Sequence, residues 1–291
     1  MNFIEYIKAV LLGIVEGITE WLPISSTGHM ILLDEFIKLN LTENFKQMLL
    51  VVIQLGAILA VPVLFWNKLN PFSRKKNREE REKIYGLWLK VIVGVLPCAI
   101  VGILLDSLLE AYLYNYVVVS IALIVYGVLF ILVERRRKNK EYRIESVYDI
   151  TYKDALIIGS YQMLSLIPGT SRSGSTILGG MLSGVSRTAS AEFSFFMAIP
   201  VMLGASLLKI LKFTLGYLKS DTPAEYIPDG LFFEYFMILL VALAVSFVVS
   251  FFAIKFLMDF VKRHSFAPFG IYRIGLGIVV VVYFIIKTAI M

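Results

Sequence analysis

Long apolar runs without a single charge decide what this chain can fold into. Val91 to Leu105 and Tyr116 to Val133 contain no Asp, Glu, Lys or Arg. A helix needs about 20 such residues to cross the hydrocarbon core of a bilayer. Apolar types make up 58% of the 291 residues and charged types 17%, where soluble domains hold roughly half and a quarter. Mean hydropathy is +0.78. The chain therefore reads as an all-α polytopic membrane protein, with one membrane domain over residues 1–291.

Six segments have the length and apolarity of full spans: Phe45–Trp66, Leu87–Leu105, Tyr116–Val133, Phe193–Phe213, Phe233–Leu257 and Phe269–Ile286. Two further apolar regions are interrupted by proline and small polar residues. Phe3 to Phe36 breaks at Pro23–His29, and Ala155 to Leu182 breaks at Pro168–Ser175. The net charge of +6 is concentrated in Asn67–Lys83 and Glu134–Arg143. Basic loops between spans stay in the cytoplasm. No aromatic or glycine pattern accompanies them, so they are topology determinants and not a nucleic-acid site. Lys262, Arg263 and His264 mark a third cytoplasmic turn, which puts Lys219–Gly230 outside.

Sidedness closes only if each broken region enters and leaves on one face, as a re-entrant helical hairpin with its tip inside the bilayer. Both termini then come out external. Residues 1–133, with hairpin 3–36, form a first repeat; residues 150–291, with hairpin 155–182, form a second of inverted topology. Pro168 follows Pro23 by half the chain, in the matching contexts Leu22-Pro23-Ile24-Ser25 and Ile167-Pro168-Gly169-Thr170. Inverted repeats with broken helices carry their sites near the midplane. Non-helical backbone survives at that depth only around a protein-lined or wet cavity, so the two tips are expected to face each other. The one cysteine, Cys98, excludes disulfides within the chain and cysteine-rich metal sites. Glu16 and Glu20 stand where a cleavable signal would be purely apolar.

Glu16 and Glu20 are one helical turn apart, on one face. Two acids on an apolar helix are expensive in a membrane and repel unless a cation or a proton intervenes. Their hard oxygens suit Mg²⁺ or Ca²⁺. Ser25, Ser26, Thr27, Gly28 and His29 follow at once; proline ends the first helix and a hydroxyl can cap the next. The second tip reads Gly169-Thr170-Ser171-Arg172-Ser173-Gly174-Ser175-Thr176. An arginine at bilayer depth needs an anion, and its fork matches phosphate oxygens. A helix starting near Thr176 would aim its positive end at the same anion. The resident partner for Arg172 is Glu16 or Glu20. Gln54, Gln162 and Ser194 read as helix–helix contacts, and Gly94, Gly102, Gly275 and Gly277 as close-packing positions. Arg273 either supports the pocket or snorkels to an interface.

Taken together, Glu16-xxx-Glu20, Pro23-x-Ser25-Ser26-Thr27-Gly28-His29 and Pro168-Gly169-x-Ser171-Arg172-Ser173-x-x-Thr176 resemble the bacterial undecaprenyl-diphosphate phosphatases of the bacitracin-resistance type. The resemblance covers both motifs and the span pattern. It implies an inner-membrane enzyme that hydrolyses undecaprenyl diphosphate to undecaprenyl phosphate, recycling the carrier lipid of peptidoglycan synthesis. It also implies a divalent cation on Glu16 and Glu20. Catalysis falls to His29, Ser26, Glu20 and Arg172, and substrate binding to Ser25, Thr27, Ser171, Arg172, Ser173 and Thr176. Water, Ser26 and His29 remain open as the nucleophile, with His29 the favoured direct participant. The expected partners are a polyprenyl diphosphate and membrane lipids; nothing in the sequence sets an oligomeric state, a homodimer included. The rival reading is a transporter or flippase for a phosphorylated lipid, since inverted repeats with broken helices are common among transporters.

Overall fold

A computed structural model describes residues 3–113, 115–137 and 140–290. Their elements are helical, with no strand among the described residues beyond an isolated bridge between Ile144 and Val185. The order is α1 (Phe3–Thr19), α2 (Ser26–Phe36), α3 (Glu43–Leu64), the single turn α4 (Trp66–Leu69), α5 (Arg78–Leu113), α6 (Tyr116–Arg137), α7 (Tyr152–Met163), α8 (Arg172–Leu182), α9 (Arg187–Lys219), α10 (Phe232–Arg263) and α11 (Ala267–Ile290). Six of these are long and apolar enough to cross a membrane: α3, α5, α6, α9, α10 and α11. They correspond one for one to the six spans expected from sequence, and the chain is a multi-pass membrane protein.

The helices overrun the expected spans because hydropathy marks the apolar middle and not the hydrogen-bonded ends. The clearest case is α5. Its first turns occupy the end of the basic segment expected as a loop, where Arg78–Glu82 and Lys83–Glu79 pair across one turn at 2.8 and 2.7 Å. Such pairs sustain an exposed helix end. Of the second basic segment, Lys138 and Asn139 lie outside the described residues. Large apolar side chains such as Ile103 and Leu104 are more than 70% exposed, an arrangement stable only against lipid.

Glycines set the closest approaches. A Cβ on Gly159 of α7 would overlap the Gly94 carbonyl of α5, and one on Gly56 of α3 would overlap the Leu243 backbone of α10. Gly277 likewise leaves room for Ile124 and the Ser120 carbonyl. Gly102 meets only Leu166 at ordinary contact distance, and Gly275 has nothing within 4 Å, so the packing role expected of Gly275 is not seen. At one end of the bundle, buried Glu134 joins three elements. It accepts from Arg187 Nε at 2.9 Å and Nη2 at 2.5 Å, and from the Phe266 backbone N–H at 2.7 Å.

Both broken regions are helix pairs, α1–α2 and α7–α8, interrupted where the sequence places the breaks. Ser25 and Ser171 cap α2 and α8 in the same way. Each hydroxyl accepts from the backbone N–H three residues on, Gly28 at 3.3 Å and Gly174 at 3.1 Å. Ser25 (φ 74°) and Ser171 (φ 73°) are also the two non-glycine residues with positive φ among those described. That conformation is costly for a side chain and recurs here in matched positions. The caps lie one residue further apart in sequence than the two prolines do, because the second break holds an extra residue, Gly169, at φ 91°. The second helix of that pair starts at Arg172, one turn before the Thr176 start expected from sequence.

Candidate functional site

The site grows from the end of α1. Glu20 N–H donates to the Glu16 carbonyl at 3.0 Å, so the helical turn carries on to Glu20 before the chain breaks. Both acids are buried, Glu16 2% and Glu20 6% exposed. A carboxylate at that depth persists only if its lone pairs are engaged. Glu20 is engaged from both tips. Oε1 accepts from Arg172 Nη2 at 3.0 Å and Nε at 3.3 Å, and Oε2 accepts from Ser26 Oγ at 2.9 Å. Of the two acids expected as partners for Arg172, the structure selects Glu20. Glu16 Oε1 is buried with no hydrogen-bond partner.

Arg172 has a second set of partners. Nη1 donates to the Ser194 carbonyl at 2.8 Å and to Ser194 Oγ at 3.3 Å. Its guanidinium carbon lies 5.6 Å from the Trp21 ring centre, and that ring in turn meets Phe195 edge-on at 5.1 Å. The fork is thereby held flat between an acid, a carbonyl and an aromatic face. Ser194, expected only as a helix contact, belongs to this cluster. The signal that could have marked it is its place in α9, one turn beyond Ser190, which packs where Gly180 of α8 leaves room.

Other expected site hydroxyls go mainly to structure. Ser25 and Ser171 cap helices, as above. Ser173 Oγ donates to the Glu20 carbonyl at 3.0 Å, tying tip to tip. Thr176 Oγ1 donates to the Arg172 carbonyl at 2.9 Å and meets Ser194 Oγ at 2.7 Å. Ser173 and Thr176 are fully buried. Thr27 is half-buried beside Ser26 at the start of α2.

His29 stands apart from the Glu20 cluster. Nδ1 lies 2.7 Å from the Ser25 carbonyl and Nε2 lies 2.7 Å from the Tyr272 hydroxyl, with the two rings stacked at 5.6 Å. A carbonyl only accepts, so Nδ1 carries the hydrogen and Nε2 accepts from the tyrosine. Both nitrogens of a neutral imidazole are then occupied, and neither is bonded to Ser26, Glu20 or Arg172. The side chain bonded to the Ser26 hydroxyl is the Glu20 carboxylate. Sequence reasoning overlooked Tyr272. Its neighbour Arg273 is fully buried, so of the two readings offered for it, snorkelling to an interface is excluded.

The donor set matches a hard cation in part. Glu16 offers an unpartnered buried oxygen one turn from Glu20, and carboxylate oxygen is what Mg²⁺ and Ca²⁺ take. Among the described residues, no group of three or more His, Cys, Asp or Glu side chains is placed to hold a metal. Two carboxylates leave most positions to phosphate oxygens and water, which is the usual arrangement for Mg²⁺.

Comparison with known proteins places these residues in context. The family model described as bacitracin resistance protein BacA matches residues 9–279. An undecaprenyl-diphosphatase of Enterococcus faecalis is 55% identical over 282 residues, covering 96% of this chain and 97% of its own length. One of Acetivibrio thermocellus is 54% identical, covering 97% and 98%. One of Desulfitobacterium hafniense is 50% identical over 291 residues, the full length of both chains.

Proposed function

The chain belongs to the family of bacitracin resistance proteins, and on that basis we propose that it is an undecaprenyl-diphosphatase that uses Ser26 and Glu20, with Arg172, to remove the terminal phosphate. Full-length relatives carry that activity in their names. The product, undecaprenyl phosphate, returns to the lipid-carrier cycle of peptidoglycan synthesis in a bacterial inner membrane. One observation carries the residue assignment: a single buried carboxylate, Glu20, is bonded both to the Ser26 hydroxyl of the first tip and to the Arg172 guanidinium of the second.

The terminal phosphate binds where α2 and α8 begin. First-turn N–H groups, at Ser26, Thr27, Arg172 and Ser173, have no acceptor inside their own helices, and helix N-termini favour anions. Arg172 exchanges Glu20 for phosphate oxygens, and Glu20 is freed to take the Ser26 proton. Ser26 Oγ attacks the terminal phosphorus as the bond to the bridging oxygen breaks. Glu20 passes the proton to the departing lipid phosphate. Water then attacks the phosphoserine; Glu20 takes a proton from it and returns one to Ser26 Oγ, releasing inorganic phosphate. A divalent cation held by Glu16 and Glu20 would neutralise charge on the phosphate oxygens. His29 holds the first tip in shape.

Sidedness follows from the basic loops: Asn67–Lys83 and Glu134–Arg143 cytoplasmic, both termini external, and the pairs α1–α2 and α7–α8 re-entrant. An inverted repeat is supported by the matched caps at Ser25 and Ser171 and by matched packing, α1 against α10 and α7 against α5. The lipid tail lies between spans.

The test is phosphate release from undecaprenyl diphosphate by the purified protein, with and without chelator, followed by rapid acid quench to trap phosphoserine. Folded protein that releases no phosphate refutes the activity. Release without any trapped intermediate, together with an active Ser26→Ala variant, moves the nucleophile to water.

A further inference from the structure

Breaking two helices inside a membrane leaves backbone carbonyls with no helical partner, and at that depth each unsatisfied group costs several kcal/mol. Three such carbonyls, from both breaks, converge on one side chain of the last helix. Arg273 Nη1 donates to the Pro23 carbonyl at 3.2 Å, and Nη2 donates to the Gly169 carbonyl at 2.8 Å and the Thr170 carbonyl at 2.9 Å. The side chain is fully buried, and among the described residues it pairs with no carboxylate. The Tyr126 ring lies 5.5 Å from the guanidinium carbon. Gly174, in the first turn of α8, leaves room for it, since a Cβ there would stand 3.1 Å from Nη1.

We infer that Arg273 is the positioning residue that clasps the two tips together and so sets the placement of Glu20 and Ser26 against Arg172. The inference rests on the phosphatase reading given above. A guanidinium suits the task because it is planar, has five donors and keeps its charge. Pro23 is followed within two residues by the Ser25 cap, and Thr170 is followed directly by the Ser171 cap. A shift at either carbonyl is therefore passed to the start of α2 or α8, where Ser26 and Arg172 stand. Lysine keeps the charge but draws its hydrogens from one nitrogen and cannot span carbonyls of both breaks with the same geometry.

The experiment compares wild type, Arg273→Lys and Tyr126→Leu in the phosphate-release assay, alongside thermal midpoint and inhibition by inorganic phosphate. With the tips misaligned, inorganic phosphate keeps Arg172 and the first-turn N–H groups of α8, whereas turnover also needs Ser26 and Glu20 placed against them. Arg273→Lys is expected to keep the thermal midpoint, lose at least tenfold in kcat and change its phosphate inhibition constant by less than threefold. A merely structural role would lower the midpoint and leave kcat per folded molecule intact. Arg273→Lys with wild-type kcat overturns the clasp. Should Arg273→Lys not fold, Tyr126→Leu decides: removing the ring beside the guanidinium should show the same pattern at smaller amplitude, and unchanged kcat there overturns the inference. An inactive wild type refutes the phosphatase reading instead.

Discussion

Replacing Arg172 with lysine separates charge from geometry at the centre of the site. The guanidinium donates to Glu20 Oε1 from two nitrogens and to the Ser194 carbonyl from a third, at 3.0, 3.3 and 2.8 Å. A lysine keeps a positive charge opposite Glu20, so the buried acid is not left alone. It loses the fork, and with it the means to hold Ser194 while presenting two nitrogens to a phosphate. Removing one preorganised donor costs about 2–4 kcal/mol of transition-state stabilisation. That corresponds to a fall in kcat of roughly 30- to 900-fold. The assay is phosphate release at saturating lipid from detergent-purified protein, with the thermal midpoint checked against wild type. Ser194→Ala is the companion. It removes the 3.3 Å contact to Arg172 and the 2.7 Å bond from Thr176, and keeps the shorter bond from Arg172 to the carbonyl, so the expected loss is below about tenfold. Arg172→Lys turning over within threefold of wild type would refute the reasoning and leave Arg172 as a counter-charge for Glu20.

Ser26→Ala is expected to lose at least about a thousandfold in kcat, as nucleophile removals do. His29→Gln and Tyr272→Phe should lose less, with Tyr272→Phe the milder because it breaks only the 2.7 Å bond to the ring and spares the contact with the Ser25 carbonyl; His29→Gln as severe as Ser26→Ala, with Tyr272→Phe harmless, would return His29 to direct chemistry. Glu16→Gln should weaken the apparent affinity for the activating cation in a titration while the protein stays folded. Unchanged metal dependence in the Glu16→Gln, Glu20→Gln double variant would place the cation elsewhere. Gly159→Ala should destabilise by about 1–3 kcal/mol through overpacking against Gly94, whereas Gly275→Ala, with open space around it, should be neutral or slightly stabilising; equal thermal midpoints for the two would show that the α5–α7 approach is not tight. In a Cys98→Ser background, a cysteine at Lys75 should resist impermeant thiol reagents in intact cells and one at Asp221 should label; the reverse pattern would invert the topology.

The sequence by itself determined the number and order of the spans, the position of both breaks and most of the side chains that gather around Glu20. These are local properties: 20-residue apolarity, the missing N–H of proline, and the expense of Glu16, Glu20 and Arg172 in an apolar setting each show in a short window. Helix ends were less legible, as at Arg78 and Arg172, because i,i+4 pairs and a serine cap extend a helix past its apolar stretch. Tertiary structure alone decided which acid Arg172 meets, which side chain accepts from Ser26, and that His29 is turned toward Tyr272. It also decided that Ser194 and Arg273 belong with the tips. Residues 20 and 26 share one short segment, but 172, 194 and 273 come from three others, and no local pattern records a contact across such separations. Buried polar groups must be satisfied by whatever the packed helices bring near, so the choice among candidate partners is made by the packing.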